Sequence, residues 1–351
     1  MKNIKIIGIG VLSQAGITAS EIWDTLESGN KPELVKGCIE YKSILPSAKR
    51  RRMNRYSDMA VYTSSKALED AKVNVNEIDS YRIGTIFTTG YGPMVSNLQF
   101  GSSVVKGDPD LCSPTVFANT VSNACVGQVC MAFDCKGVST IVMGSNNIGY
   151  SQMLLNRGKA NFILSGAVEE YCEELYNSFQ LNKYSKDVFI KEGTVTFLLK
   201  SSEVNDEAED AYCQLVDFCE CNIGKYPLVN KVDENSVKDR IVKTLSKFVS
   251  DSGKEIDFVI SANNGSYFDS VENAVLEEVF DNKKLIIGNI KEYIGDTLGT
   301  SINMNVMVAA MILKNEKLPK AFANESVKQV KTILVTGYDV TGNYIGYILE
   351  K

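Results

Sequence analysis

Not one of the 351 residues is a histidine. Ser-His-Asp and Cys-His catalysis, histidine-ligated zinc and imidazole proton shuttling are thereby excluded. A surplus of positive charge is also lacking. The 37 Lys+Arg stand against 43 Asp+Glu, and a net charge of −6 argues against a nucleic-acid partner. No apolar run approaches the length of a membrane span. Nine cysteines are present, but Cys125, Cys130 and Cys135 lie five apart in an apolar stretch. That spacing fits neither C-x-x-C redox chemistry nor the paired loops of a zinc site, so buried thiols in a reducing compartment are expected. The start Met1-Lys2-Asn3-Ile4-Lys5 superficially resembles a signal peptide. Its apolar continuation is broken by Gly8 and Gly10 and shows no small-x-small cleavage site, so it reads as a buried first strand of a soluble, cytoplasmic protein.

What is present is a regular alternation of strand-like and helix-like segments. Lys5–Leu12 is a glycine-punctuated strand, and Thr18-Ala-Ser-Glu-Ile22 caps a helix running to Leu26. Residues 30–47 lack a period and read as loop. The basic run Lys49–Arg55 leads into a helix with Met59, Val61, Tyr62, Leu68 and Ala71 on its apolar side. Arg82–Thr89 is a strand ending in Gly90-Tyr-Gly-Pro93, and Thr120–Cys135 reads as a closely packed helix of small residues. A strand at Ser139–Met143, the turn Gly144-Ser-Asn-Asn147, a helix to Arg157 and a strand at Asn161–Glu169 follow. Gly193–Lys200 is a further strand, and the acidic stretch Glu203–Asp210 is the candidate midpoint.

The second half repeats this order. Asp257–Ala262 answers the strand at 82–89, Leu285–Asn289 answers Thr140–Gly144, and Met304–Lys314 answers the helix after residue 148. Thr332–Gly337 answers Phe162–Gly166, and Asn343–Glu350 answers the strand ending at Lys200. The likeness lies in order and pattern and predicts two similar halves, 1–202 and 211–351, with buried sheets covered by helices.

Gly8-Ile-Gly-Val-Leu-Ser13, the Arg-rich run before an Ala-rich helix, Asn119–Gly127 with Cys135-Lys-Gly137, Gly158–Gly166 and Lys291–Gly299 follow in a familiar order. The chain resembles the β-ketoacyl-acyl-carrier-protein synthases of the thiolase-like superfamily over nearly its whole length. The resemblance implies an α/β, thiolase-like five-layered αβαβα fold from two duplicated halves, and a dimer with Ser139–Met143 pairing across the two-fold. It also locates what is missing. Where the family carries its nucleophilic cysteine, this chain reads Ile-Val-Met-Gly-Ser-Asn-Asn-Ile-Gly, shorter and without a thiol. Asn263 stands at the first histidine position, and in Lys291-Glu-Tyr-Ile-Gly-Asp296 the lysine is kept while aspartate replaces the second histidine. The gate segment is reduced to Gly337-Tyr-Asp-Val-Thr-Gly342.

Condensation needs a thiolate to hold the acyl chain, donors for the enolate and an oxyanion hole. Asn263 can donate one hydrogen bond, whereas an ionised Asp296 repels a developing enolate. No catalytic residue is therefore expected: Ser145, Asn263, Lys291 and Asp296 are relic positions, with neither metal nor cofactor. The resemblance points to a chain-length-factor-type subunit, inactive alone, that pairs as a heterodimer with a catalytic ketosynthase and shapes the acyl tunnel. Two further readings stand beside it: an acyltransferase or hydrolase with its chemistry moved to Ser145, Asp296 or Lys291, and a homodimeric lipid-binding scaffold. Ser145 is otherwise a helix-capping or turn serine, and Lys291 pairs with Asp296 or Glu292. Lys49, Arg50, Arg51 and Arg52 are either a solvated helix start or a dock for an acyl carrier protein bearing a phosphopantetheine-bound chain. Tyr267, Phe268 and Tyr293 either plug the old channel or pack the core. Gly90-Tyr-Gly92 lacks what a dinucleotide loop needs.

Overall fold

Why the first strand is written with glycines is plain from what crosses it. A Cβ on Gly8 would meet the Ala67 carbonyl oxygen at 2.2 Å, and one on Gly10 would meet that of Thr63 at 1.9 Å. The helix Arg55–Asp70 therefore lies directly on β1 (Ile4–Leu12). Midway along β1 the pairing slips between Ile6 and Gly8. This bulge inserts one residue and changes the parity of the strand, so that Ile4, Ile6, Ile9 and Val11 all reach the central core while Ile7 and Leu12 face the outer one. Asp70 secures the strand just past the slip, its carboxylate accepting the Ile9 amide at 2.8 Å.

The computed structural model describes residues 4–33, 35–107, 110, 112–204, 210–280, 286–322 and 329–351. The charged start Met1–Asn3, most of the acidic stretch 203–210 and Leu285 of the repeat lie outside the described residues. The other strands are β2 (Ile83–Thr89), β3 (Ser139–Met143), β4 (Phe162–Glu169), β5 (Gly193–Ser201), β6 (Cys213–Asn222), β7 (Phe258–Ile260), β8 (Ile286–Gly288), β9 (Thr332–Tyr338) and β10 (Asn343–Glu350). Among the described residues they form one sheet in the order β3-β2-β4-β5-β1-β6-β10-β9-β7-β8.

That order contains the same five-strand pattern twice. In the first part β2 runs parallel to β3 and β4, and β5 is antiparallel to β4 and β1. Outward from the middle, the second part repeats it: β7 is parallel to β8 and β9, and β10 is antiparallel to β9 and β6. The strand-by-strand equivalences are those the sequence pattern pairs, β2 with β7, β3 with β8, β4 with β9 and β5 with β10. The two parts touch along a short seam, where Ile4, Lys5 and Ile6 pair with Leu215, Gln214 and Cys213.

Helices complete five layers. Arg55–Asp70 and Ala124–Phe133 cover the outer face of the first half-sheet, around Tyr56, Met59, Phe87, Val129 and Leu198. Asn147–Asn156 and Ser301–Asn315 fill the space between the half-sheets. Glu234–Ser252 and Asp269–Val279 cover the far face around Ile241, Leu245 and Leu276. Every residue from Ser301 to Leu313 is buried, as expected of a helix enclosed on all sides. The helix expected over 120–135 begins only at Ala124, because Val121–Asn123 turn to bring its axis onto β2. No helix among the described residues is long and apolar enough to cross a membrane.

Candidate functional site

The repeat brings the two central helices together at their N-termini, and Ser145, Asn263, Lys291 and Asp296 lie on the segments that lead into them or beside them. Gly144, in a left-handed conformation at φ +112°, turns the chain out of β3 into the helix Asn147–Asn156. Ser145 follows and is 1 % exposed. Its hydroxyl donates to the Gly299 carbonyl at 2.8 Å, its amide donates to Asp339 Oδ2 at 3.0 Å, and its own carbonyl accepts from Asn303 Nδ2 at 3.3 Å. A serine hydroxyl spent on a backbone carbonyl is a strut between the two central helices. It caps no helix amide, and neither Lys291 nor Asp296 is among its hydrogen-bond partners.

Lys291 and Asp296 are brought together, both about 6 % exposed in their side chains, with Lys291 Nζ 3.8 Å from Asp296 Oδ2. This is an ion-pair distance and too long for a hydrogen bond, and Nζ has no hydrogen-bond partner. Burial holds the Lys291 amine below its usual pKa, with Asp296 and Asp269 opposing that shift. Glu292 is elsewhere, paired with Lys31 at the surface. Asp296 is saturated by neutral donors. Oδ1 accepts from the Leu298 amide at 2.8 Å and Ser301 Oγ at 2.9 Å, while Oδ2 accepts from Asn264 Nδ2 at 2.8 Å.

The asparagine that reaches this cluster is thus Asn264. Asn263 turns away and donates to Asn273 Oδ1 at 2.9 Å. Gly265, at φ +88°, forms a tight turn whose amide and that of Asn264 bind the two Asp269 oxygens. That turn aims residue 264 inward. The Asn264-Gly265 pair was the available signal, since the residue preceding the left-handed glycine is the one presented by the turn. Asn264 Nδ2 also donates to the Tyr338 hydroxyl at 2.8 Å, a contact that sequence reasoning missed.

Tyr338 ends β9 and leads into the turn before β10. Asp339 closes this turn: Oδ1 accepts the amides of Thr341 and Asn343, and Oδ2 accepts that of Ser145. The β9–β10 turn is thereby stitched to the turn before the first central helix. Around it runs a chain of rings, Tyr91–Phe179–Tyr226–Tyr338–Phe268, with centroids 4.9–6.5 Å apart. Phe268 belongs to this filling. Tyr267 lies at its outer end against Phe268, and Tyr293 packs away from it on Phe322. The space left among Tyr226, Lys291, Asp296, Asn305 and Tyr338 is a cavity of about 10 Å³. That is about the room one water needs, while on their outer side Asn264, Lys291 and Asp296 border an open cleft of about 520 Å³ shared with Lys31, Asp187, Phe189 and Asp269.

The basic run divides. Lys49, Arg50, Arg51 and Arg52 are exposed on a short turn, whereas Arg55 points inward onto the fully buried Glu192. Asn119 holds the turn by donating to the Arg52 carbonyl, and Asn54 ties it to Asn119 and Ser96. The cationic turn therefore borders a surface with many exposed apolar side chains: Val95, Leu98, Val105, Phe117, Met131 and Met143. Among the described residues β3 ends the sheet, and its Ser139–Ile141 share a cleft with Ser122, Val126 and Cys130. Among the described residues no group of histidine, cysteine, aspartate or glutamate is placed to hold a metal.

With that geometry in view, comparisons with known proteins identify the surroundings. Residues 41–185 match the family described as "Beta-ketoacyl synthase, N-terminal domain". The curated 3-oxoacyl-[acyl-carrier-protein] synthase 2 of Synechocystis sp. is 24 % identical over 189 residues, covering 48 % of this chain and 45 % of that protein. The Staphylococcus aureus protein of the same name is 25 % identical over 189 residues, covering 48 % and 46 %. The chain spans about half the length of the curated relatives it matches. Solved structures resemble it from end to end. The ishigamide ketosynthase/chain length factor superposes with a TM-score of 0.83 at 15 % identity, covering 100 % of this chain and 99 % of that one. A β-ketoacyl synthase from Burkholderia phymatum gives 0.81 at 17 %, covering 100 % of both chains. A type II polyketide synthase ketosynthase, solved with its acyl-carrier protein, gives 0.80 at 15 %, covering 99 % of both chains.

Proposed function

We propose that this chain, which has the thiolase-like ketosynthase fold and carries a β-ketoacyl synthase N-terminal domain over residues 41–185, is the non-condensing partner of an active ketosynthase. The observation that carries the reading is the closed inner gap, with no condensing group left around it. Where condensation requires a thiolate, imidazoles and an acyl tunnel, this chain places Ser145 on a backbone carbonyl, Asp296 on three neutral donors and a ring-filled gap of about 10 Å³. The inner gap is too small for a primer, and the open cleft of about 520 Å³ outside it is lined by neither thiol nor imidazole, so a tunnel for the growing chain would belong to the partner, with this subunit as its wall. The two halves, 1–202 and 211–351, support this as a scaffold role, since the repeated five-strand pattern persists where the chemistry is gone.

A displaced Ser145 nucleophile is disfavoured because its hydroxyl is buried and donates to a carbonyl. A homodimeric lipid scaffold is disfavoured because the inner gap holds about 10 Å³ and the larger cleft beside it is open to solvent and lined by the charged Lys31, Asp187, Asp269 and Glu292. The pairing surface fits the β3 edge and the apolar side chains around it, and the adjacent Lys49–Arg52 turn fits the acidic carrier protein that delivers the chain. The test is reconstitution. The purified chain, given malonyl-carrier protein and an acyl primer, is expected to release no carbon dioxide. Co-expressed with its cognate ketosynthase, it is expected to elute as a heterodimer that does. Condensation by the chain alone overturns the reading.

A further inference from the structure

Three buried glutamates stand at one end of β4 and β5, with one guanidinium among them. Glu169 is 1 % exposed and Glu170 3 %, and Glu192 is fully buried and paired with Arg55. All three grip main-chain amides. Glu169 Oε1 accepts Thr89 Oγ1 at 3.0 Å, the Tyr91 amide at 3.1 Å and, more closely, the Gly90 amide. Glu170 Oε1 accepts the Val95 amide at 2.9 Å and also acts on the Tyr56 amide. Val95 and Tyr56 are the second residues of the helices Met94–Val105 and Arg55–Asp70, so one carboxyl sits at two helix N-termini. The first of these helices begins at Pro93 without a side-chain cap, which leaves Glu170 as its external anchor. Glu192 Oε2 accepts the Tyr171 amide at 2.9 Å.

We propose that Glu169 and Glu170 form a proton-operated tether, which holds the segment Thr89–Val105 and the apolar face of its helix when protonated and loosens it when both are ionised. The face in question exposes Val95, Leu98, Val104 and Val105. Charge balance sets the direction. With both acids neutral, the cluster holds only the Glu192–Arg55 pair. With both ionised, it holds three negative charges against one positive in a buried volume, where repulsion is weakly screened. The other titratable groups around it are the Tyr41, Tyr56, Tyr91, Tyr171, Tyr176 and Tyr226 phenols and the Cys38 thiol. All are pushed up by burial and stay neutral, so they offer no compensating cation.

Burial raises Glu169 to about 8 and Glu170 to about 7, against its hydrogen bonds in each case. These folded values lie above the 4.5 of a free glutamate, so the native state binds more protons than the unfolded chain between pH 4.5 and 8. Native stability therefore falls as pH rises through that window and levels off above it. The loosening is expected near neutral pH, over the upper part of the window.

The test is hydrogen exchange followed by mass spectrometry at pH 6.5 and 8.5, with labelling times scaled to cancel the chemical rate. In the wild-type chain, peptides covering 89–105 are expected to open several-fold more at pH 8.5, while the distant helix Glu234–Ser252 serves as a control that does not respond. Glu170→Gln and Glu169→Gln, which fix the neutral form, are each expected to reduce that response. Protection of 89–105 that is independent of pH in the wild-type chain overturns the tether, as does a full response in both variants. The readout needs no partner, so it fails or succeeds separately from the proposed pairing.

Discussion

A carboxylate that accepts three neutral hydrogen bonds owes its place to them more than to a lysine 3.8 Å away. Asp296 is such a group, and the Lys291 amine beside it has no hydrogen bond. The two residues should therefore respond unequally to removal. Asp296→Ala would leave Asn264 Nδ2, the Leu298 amide and Ser301 Oγ without their acceptor, and an unpaired amine besides. A loss of about 3–5 kcal/mol is expected from urea unfolding. Lys291→Met keeps the stem and removes a desolvated amine, so its midpoint should match or exceed that of the parent. Equal losses in both would show that the ion pair itself carries the site. Both positions were legible from the Lys-x-x-x-Gly-x spacing. Asn264 was missed by one residue because which of two adjacent asparagines points inward depends on the turn at Gly265. Glu169 and Glu170 were not legible, because an acidic pair after an apolar strand reads the same whether it is solvated or enclosed.

At the scale of elements, β1 shows how close contact is encoded. Its glycines let the helix Arg55–Asp70 lie against the strand, and Gly10→Ala would drive a methyl to 1.9 Å from the Thr63 carbonyl. Backbone on both sides leaves no flexible group to yield, so a destabilisation of about 1–3 kcal/mol is expected, read as a lower melting temperature. The strand equivalences were legible because buried parallel strands are written as continuous apolar runs. The bulge between Ile6 and Gly8 was not. An unbroken apolar strand carries no alternation from which a change of parity can be read. Nor did the sequence reveal that Arg55 leaves the basic run, since a partner 137 residues away decides it.

For the molecule as a whole, an acidic chain presents one compact cationic turn beside its apolar surface. Reversing Arg50, Arg51 and Arg52 to glutamate is expected to weaken carrier-protein binding by tenfold or more at low salt and to flatten its salt dependence. The exposed side chains carry no ion pair among the described residues, so folding should be unaffected. Unchanged titrations would assign the turn to solvation alone. The fold at this scale was readable because repeated order survives when individual residues drift. The closed pocket was not, because its filling is assembled from rings at 91, 179, 226, 268 and 338, no two of them neighbours in sequence.

The cavity of about 10 Å³ also has an arithmetic consequence. A covalent agent that titrates condensing sites needs a reactive thiol and a channel to reach it. Here neither the inner gap nor the cleft outside it is lined by a thiol, and burial pushes the enclosed Cys125 and Cys213 thiols far from ionisation. In a pair of the proposed kind, complete inhibition by a site-directed agent would then coincide with one active-site label per two chains, on the partner, and any label on this chain would fall on surface thiols such as the exposed Cys38.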